Sequence, residues 1–168
     1  MERTGVITFK GNGMTLLGPD VQVGEPAPDF TALNNALEPV SLSDFKGKVV
    51  IISVVPSVDT PVCEMQTKRF NEEANNAEIT IITISMDLPF AQKRFCGANE
   101  IRNLVLLSDY RDHDFARKYG LQIKELGLLS RAVFVIDKEG KVAYKEICSE
   151  VTNHPDYDKA LEAARSLA

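Results

Sequence analysis

The chain has no tryptophan, two histidines and three cysteines in 168 residues, and these scarcities narrow its chemistry before any motif is read. His113, His154 and three unevenly spaced cysteines form no C-x2-C or H-x3-H pattern, so no metal site is expected. An odd cysteine count without regular spacing is also not the disulfide framework of a small secreted domain. Basic residues are in deficit, 19 Lys and Arg against 24 Asp and Glu, for a formal net charge of -5. A phosphate backbone needs clustered cations, so nucleic acid is not an expected partner. Long hydrophobic runs are missing too. The longest, Val49 to Val55, is interrupted by Ser53 and falls far short of the roughly 20 residues that span a bilayer. Met1-Glu2-Arg3-Thr4-Gly5 does not open a secretory signal. No membrane association and a cytoplasmic setting are expected, and in that reducing compartment a cysteine pair is transient chemistry rather than a staple.

A composition that is 44% hydrophobic and 26% charged is ordinary for globular proteins and excludes disorder, and the length suits one domain over residues 1–168. Within an N-terminal β-hairpin over 1–18, residues 5–18 read as two strands around Gly11-Asn12-Gly13. Residues 19–46 hold Pro19, Pro26, Pro28 and Pro39 and no sustained period, which predicts surface loop with short extended pieces. Val49 to Val55 then reads as a strand buried on both faces. Helical spacing from Val62 to about Ala74 follows, then a β-branched run at Ile79 to Ile84, a short helix from Pro89 to about Gly97, and a strand at Leu104 to Leu107. Asp112 to Tyr119 is an amphipathic helix closed by Gly120. Ala132 to Ile136 and Lys141 to Cys148, joined by Asp137-Lys138-Glu139-Gly140, make a hairpin, and residues 155–168 a closing helix begun by Pro155. The order βαβαβαββα predicts an α/β sandwich with a mixed sheet.

The segment Pro56-Ser57-Val58-Asp59-Thr60-Pro61-Val62-Cys63 joins the buried strand to the next helix, where α/β folds place their sites. Thr60 is a favoured N-cap and Pro61 a favoured first helical residue, which puts Cys63 in the first turn. Unpaired amides and the positive end of the helix dipole there favour thiolate, the nucleophilic form. The bland alternative is a small hydrophobe packed under the helix.

P-x3-T-x2-C at a strand-to-helix junction resembles the active-site signature of the peroxiredoxins. The resemblance implies a thioredoxin-like fold in which Cys63 attacks a hydroperoxide, Pro56 shields the sulfur and the Thr60 hydroxyl binds the peroxide. Arg131, directly before Ala132 to Ile136, matches the family's active-site arginine, and a fixed guanidinium there would stabilise charge on the leaving oxygen. A second segment, Asp87-Leu88-Pro89-Phe90-Ala91-Gln92-Lys93-Arg94-Phe95-Cys96-Gly97-Ala98, is similar to the stretch that carries the resolving cysteine of bacterial thiol peroxidases, the atypical two-cysteine peroxiredoxins. The likeness runs along essentially the whole chain, including Asp156-Tyr157, although Asn99-Glu100 stand where that pattern suggests a glycine nearby.

This implies a three-layer α/β sandwich, thioredoxin-like, with the N-terminal hairpin as an extension. It also implies an intrachain Cys63–Cys96 disulfide recycled by thioredoxin, a homodimer, and no metal, haem or flavin cofactor. Cys148 matches no motif and reads as structural, Arg94 as solvated charge, and Glu64, Glu72 and Glu73 as a solvated helix face. Two alternatives differ in class. A thioredoxin-like disulfide carrier needs C-x-x-C, but its first cysteine position is Thr60; a redox sensor would react with peroxide once instead of cycling.

Overall fold

A computed structural model of the chain describes residues 1–73, 79–101 and 104–168. The strands are β1 Glu2–Phe9, β2 Asn12–Leu17, β3 Thr31–Leu33, β4 Pro39–Ser41, β5 Val49–Val54, β6 Ile79–Ser85, β7 Val105–Ser108, β8 Gln122–Ile123, β9 Ala132–Ile136 and β10 Val142–Ile147. The helices are α1 Pro61–Glu73, α2 Pro89–Asn99, α3 Asp114–Tyr119 and α4 Tyr157–Leu167, with a 3-10 turn over Leu42–Phe45. None of these helices is long and apolar enough to cross a membrane.

Seven strands form a mixed sheet in the order β10-β9-β5-β6-β7-β3-β4. β5 and β6 are parallel from Val49↔Ile79 to Val54↔Ile84, β6 and β7 are parallel, and β9 returns antiparallel to β5. Alternation along β5 explains its central place. Val50, Ile52 and Val54 face one core with Phe30, Phe115, Tyr119 and Phe134, while Val49 and Ile51 face Phe70 of α1 and Ala160, Leu161 and Ala164 of α4. Each such side chain withdrawn from water contributes about 1.5–3 kcal/mol. The sheet thus lies between α1 and α4 on one side and α3 on the other, the expected three layers.

Several boundaries differ from the sequence reading. The N-terminal turn is Lys10-Gly11 (φ 51° and 81°), one residue earlier than expected, because Asn12 already pairs with Phe9. The hairpin's β2 pairs with β8, two residues too short to announce themselves, in a separate three-stranded sheet. The extended pieces in 19–46 are strands β3 and β4, which finish the edge of the main sheet. α1 begins at Pro61, and the expected end at Ala74 lies outside the described residues. α3 starts at Asp114 because His113 is left-handed (φ 53°), and α4 starts at Tyr157, after Asp156 accepts from the Lys159 amide at 3.1 Å. α2 continues past Gly97 to Asn99 and ends on Glu100 at φ 56°, so a side chain occupies the left-handed cap where a glycine fits best. Gly120 closes α3 as expected (φ 63°); a Cβ there would overlap the Pro19 carbonyl oxygen.

Candidate active site

Local sequence chemistry builds the turn that presents Cys63. The Val55 amide donates to Ile84 O at 3.1 Å, extending the β5–β6 pairing, and buried Pro56 then turns the chain away from the sheet. The Ser57 carbonyl accepts from the Thr60 amide at 3.3 Å and from its hydroxyl at 3.0 Å, and the Glu64 amide donates to Thr60 O at 2.9 Å. The backbone of Thr60 therefore starts the helix, while its hydroxyl closes the preceding bend. Cys63 sits in the first turn of α1 with no exposed surface, and its carbonyl accepts from the Thr67 hydroxyl at 2.8 Å.

Arg131 reaches this sulfur from the start of β9. Arg131 is 2% exposed, and its guanidinium makes three directed hydrogen bonds, from Nε to Val151 O at 2.7 Å, from Nη1 to Gln66 Oε1 at 3.0 Å and from Nη2 to Cys63 Sγ at 3.1 Å. A surface arginine that merely opens a strand is thereby excluded. Gln66, which sequence reasoning passed over, is fully buried and donates through Nε2 to Ser53 Oγ at 2.7 Å. Each member of the chain Ser53–Gln66–Arg131–Cys63 thus fixes the next, holding the guanidinium in one orientation. The one signal for Gln66 is its place three residues after Cys63, on the same helical face.

Cys96 lies near the end of α2, half-buried, and packs on the cluster of Val55, Val58, Phe95, Ile101 and Leu106 that also contains Cys63. Cys63, Cys96 and Cys148 are all free thiols. Burial pushes the Cys96 thiol above its ordinary range, partly offset by the Asn35 amide, which donates to its sulfur at 3.9 Å. Cys148 follows β10, is 5% exposed, and donates its amide to Arg131 O at 3.0 Å; burial, then the neighbouring Glu146 charge, raise its thiol to about 12.

Arg94 is exposed. Glu64 pairs with Lys68 one turn along the α1 surface, at 2.8 Å, and the side chain of Glu73 lies outside the described residues. His113 bonds to Tyr110 O and His154 to the Tyr157 hydroxyl. Among the described residues no group of three or more His, Cys, Asp or Glu is arranged to hold a metal ion.

A mixed sheet that delivers a cysteine to a helix start, with an arginine buried against its sulfur, defines a thioredoxin-like α/β fold that presents a thiol beside a buried cation. The redoxin family profile matches residues 22–161, and the chain belongs to that family. It is 59% identical over 162 residues to a thiol peroxidase of Bacillus subtilis (strain 168), covering 96% of this chain and 97% of that protein. Its fold matches the crystal structure of a peroxiredoxin-like protein from Aquifex aeolicus with a TM-score of 0.92 and 43% identity, over 99% of this chain and 98% of the other. A thiol peroxidase from Chromobacterium violaceum, 21% identical, shares the fold with a TM-score of 0.84 over 95% of both chains.

Proposed function

We propose that the protein is a thiol peroxidase that reduces hydroperoxides at Cys63. The observation that carries this reading is the 3.1 Å hydrogen bond from Arg131 to the Cys63 sulfur, with both groups buried. The thiolate is the reacting form of cysteine. It attacks the terminal oxygen of ROOH; the S–O bond forms as the O–O bond breaks, leaving Cys63 as sulfenic acid and RO⁻, which takes a proton to become alcohol or, from hydrogen peroxide, water. Negative charge passes from sulfur to leaving oxygen in this step, and a fixed guanidinium beside the sulfur follows it at low cost, more effectively in a dry site than in water. The Thr60 hydroxyl spends its proton on Ser57 O, so its oxygen is an acceptor for the O–H of the incoming peroxide. Pro56, buried beside the turn, keeps water from the sulfur.

Cys96 then displaces hydroxide from the sulfenic sulfur, releasing water and forming the Cys63–Cys96 disulfide. Its place on the same apolar cluster supports this role. A reduced thioredoxin supplies the two electrons and two protons that restore both thiols by disulfide exchange. A cytoplasmic setting suits this cycle, as does a homodimer paired through the loops near the site, with alkyl hydroperoxides preferred over hydrogen peroxide. The test is NADPH oxidation with thioredoxin, its reductase and cumene hydroperoxide. Wild type turns over and Cys63→Ser does not; equal rates in the two would overturn the reading.

A further inference from the structure

Outside the residues already assigned, several hydrogen bonds converge on Asp87, between the end of β6 and the start of α2. Its Oδ1 accepts from the Ser57 hydroxyl at 2.7 Å, and its Oδ2 accepts from the Val58 amide at 2.8 Å and the Ser85 hydroxyl at 2.7 Å. The Ser108 hydroxyl donates to its carbonyl. Ser85 Oγ in turn accepts from the buried Gln92 side chain of α2 at 3.0 Å, and Gln92 also donates to Leu107 O at 2.8 Å. On the far side, Ser57 O holds the Thr60 hydroxyl at 3.0 Å. Hydrogen bonds therefore run from the helix that bears Cys96 to the turn that bears Thr60 and Cys63, through Gln92, Ser85, Asp87 and Ser57. An aspartate serving only to cap α2 would bond that helix's amides. Here Leu88 is the N-cap, and every hydrogen bond to the Asp87 carboxylate comes from outside α2.

We infer that Asp87 is a positioning residue that couples the two halves of the cycle, and this rests on the roles assigned above to Cys63 and Cys96. It holds the Thr60 turn in register for peroxide attack. It also restrains the start of α2 against the movement that brings Cys96 to the oxidised sulfur. Cys63 and Cys96 are free thiols on two different helices; a disulfide needs Cα atoms within about 7 Å and narrow torsions, and the start of α2 is taken as the part that yields to meet them, at a rate set by how readily it opens locally. Removing the carboxylate leaves the Val58 amide without its partner and releases both elements. The two steps then change in opposite directions, which simple loss of stability would not produce.

The experiment follows one turnover of reduced protein with cumene hydroperoxide by acid quench and mass spectrometry, reading thiol loss at Cys63, appearance of the intrachain bridge, and sulfinic acid formed in excess peroxide. In Asp87→Ala the first rate falls about 10- to 100-fold, as for a reacting group displaced by up to about 1 Å. The bridge forms faster than in wild type, and the sulfinic yield drops. Asp87→Asn keeps an oxygen for the Val58 amide and restores most of the first rate. Ser57→Ala cuts one arm, gives the same pattern in smaller size, and serves if Asp87→Ala does not fold. Equal slowing of both steps, or no change in either, overturns the inference alone when wild type reacts at Cys63. A wild type that shows no reaction at Cys63 overturns both it and the proposed function.

Discussion

Arg131→Met removes three hydrogen bonds from a place that is 2% exposed. Two of the acceptors, Val151 O and Gln66 Oε1, stay buried without that donor, at about 1–3 kcal/mol each, so stability falls by about 2–6 kcal/mol. Domains hold about 5–15 kcal/mol in all; the variant should remain folded at 25 °C with a markedly lower urea midpoint. The third bond concerns rate. One preorganised donor at a developing oxyanion accounts for about 10²–10³ in rate, or roughly 2.7–4 kcal/mol. Arg131→Lys keeps the charge but cannot reproduce the fork, so it should lose similar stability and less rate. With no tryptophan to report unfolding, far-UV circular dichroism in urea gives the stability, and quenched single turnover gives the rate. A folded Met variant that reduces peroxide at the wild-type rate would refute the assignment of Arg131.

Asp109 is 2% exposed, and burial raises its carboxyl from 3.8 to about 6 despite the Phe115 and Ala116 amides it accepts. The folded state binds the proton more tightly, so stability falls by about 3 kcal/mol as pH rises from about 4 to about 6 and is level above; Asp109→Asn should remove that slope, and a pH-independent difference between the two urea midpoints would contradict it. Because burial raises the Cys96 thiol, bridge formation after oxidation should keep accelerating as pH rises past the ordinary thiol range; Asn35→Ala, which removes the donor to that sulfur, should slow the bridge at pH 7. Phe70→Ala empties a fully buried site between α1 and β5 and should cost about 3–5 kcal/mol in chemical denaturation. Glu150 accepts from Thr8 Oγ1, the Lys10 and Gly11 amides, and the Thr152 amide and hydroxyl, so Glu150→Ala should loosen the N-terminal hairpin, read as faster amide exchange in β1 and β2.

What could be read from the sequence was local. β5 announces itself because a strand buried on both faces is apolar at every position, and the start of α1 because Thr60-Pro61 is helix-initiating chemistry wherever it stands. The burial of Arg131 was not readable. Its partners Val151 and Gln66 lie 20 and 65 residues away, and a charge before an apolar strand looks like surface until those acceptors are in place. Gln66 and Asp87 were silent for the same reason: a glutamine in a helix and an aspartate before one have ordinary solvated readings, and only the tertiary fold brings them to Ser53 and Ser57. The one-residue shift of the hairpin turn shows the limit within local chemistry, since Lys10-Gly11 and the expected Gly11-Asn12-Gly13 both offer positive φ and pairing across the strands decides between them.

Cys63 is the sulfur proposed to meet peroxide, and Cys96 the sulfur proposed to bridge to it. Mass spectrometry of the proteolysed protein after one equivalent of cumene hydroperoxide tests both assignments together. An intrachain Cys63–Cys96 peptide is expected in wild type and in Cys148→Ser, a Cys63 sulfenic acid in Cys96→Ser, and no oxidised product in Cys63→Ser. A bridge from Cys63 to Cys148, a bridge between chains, or oxidation at Cys96 in the absence of Cys63 would contradict these assignments.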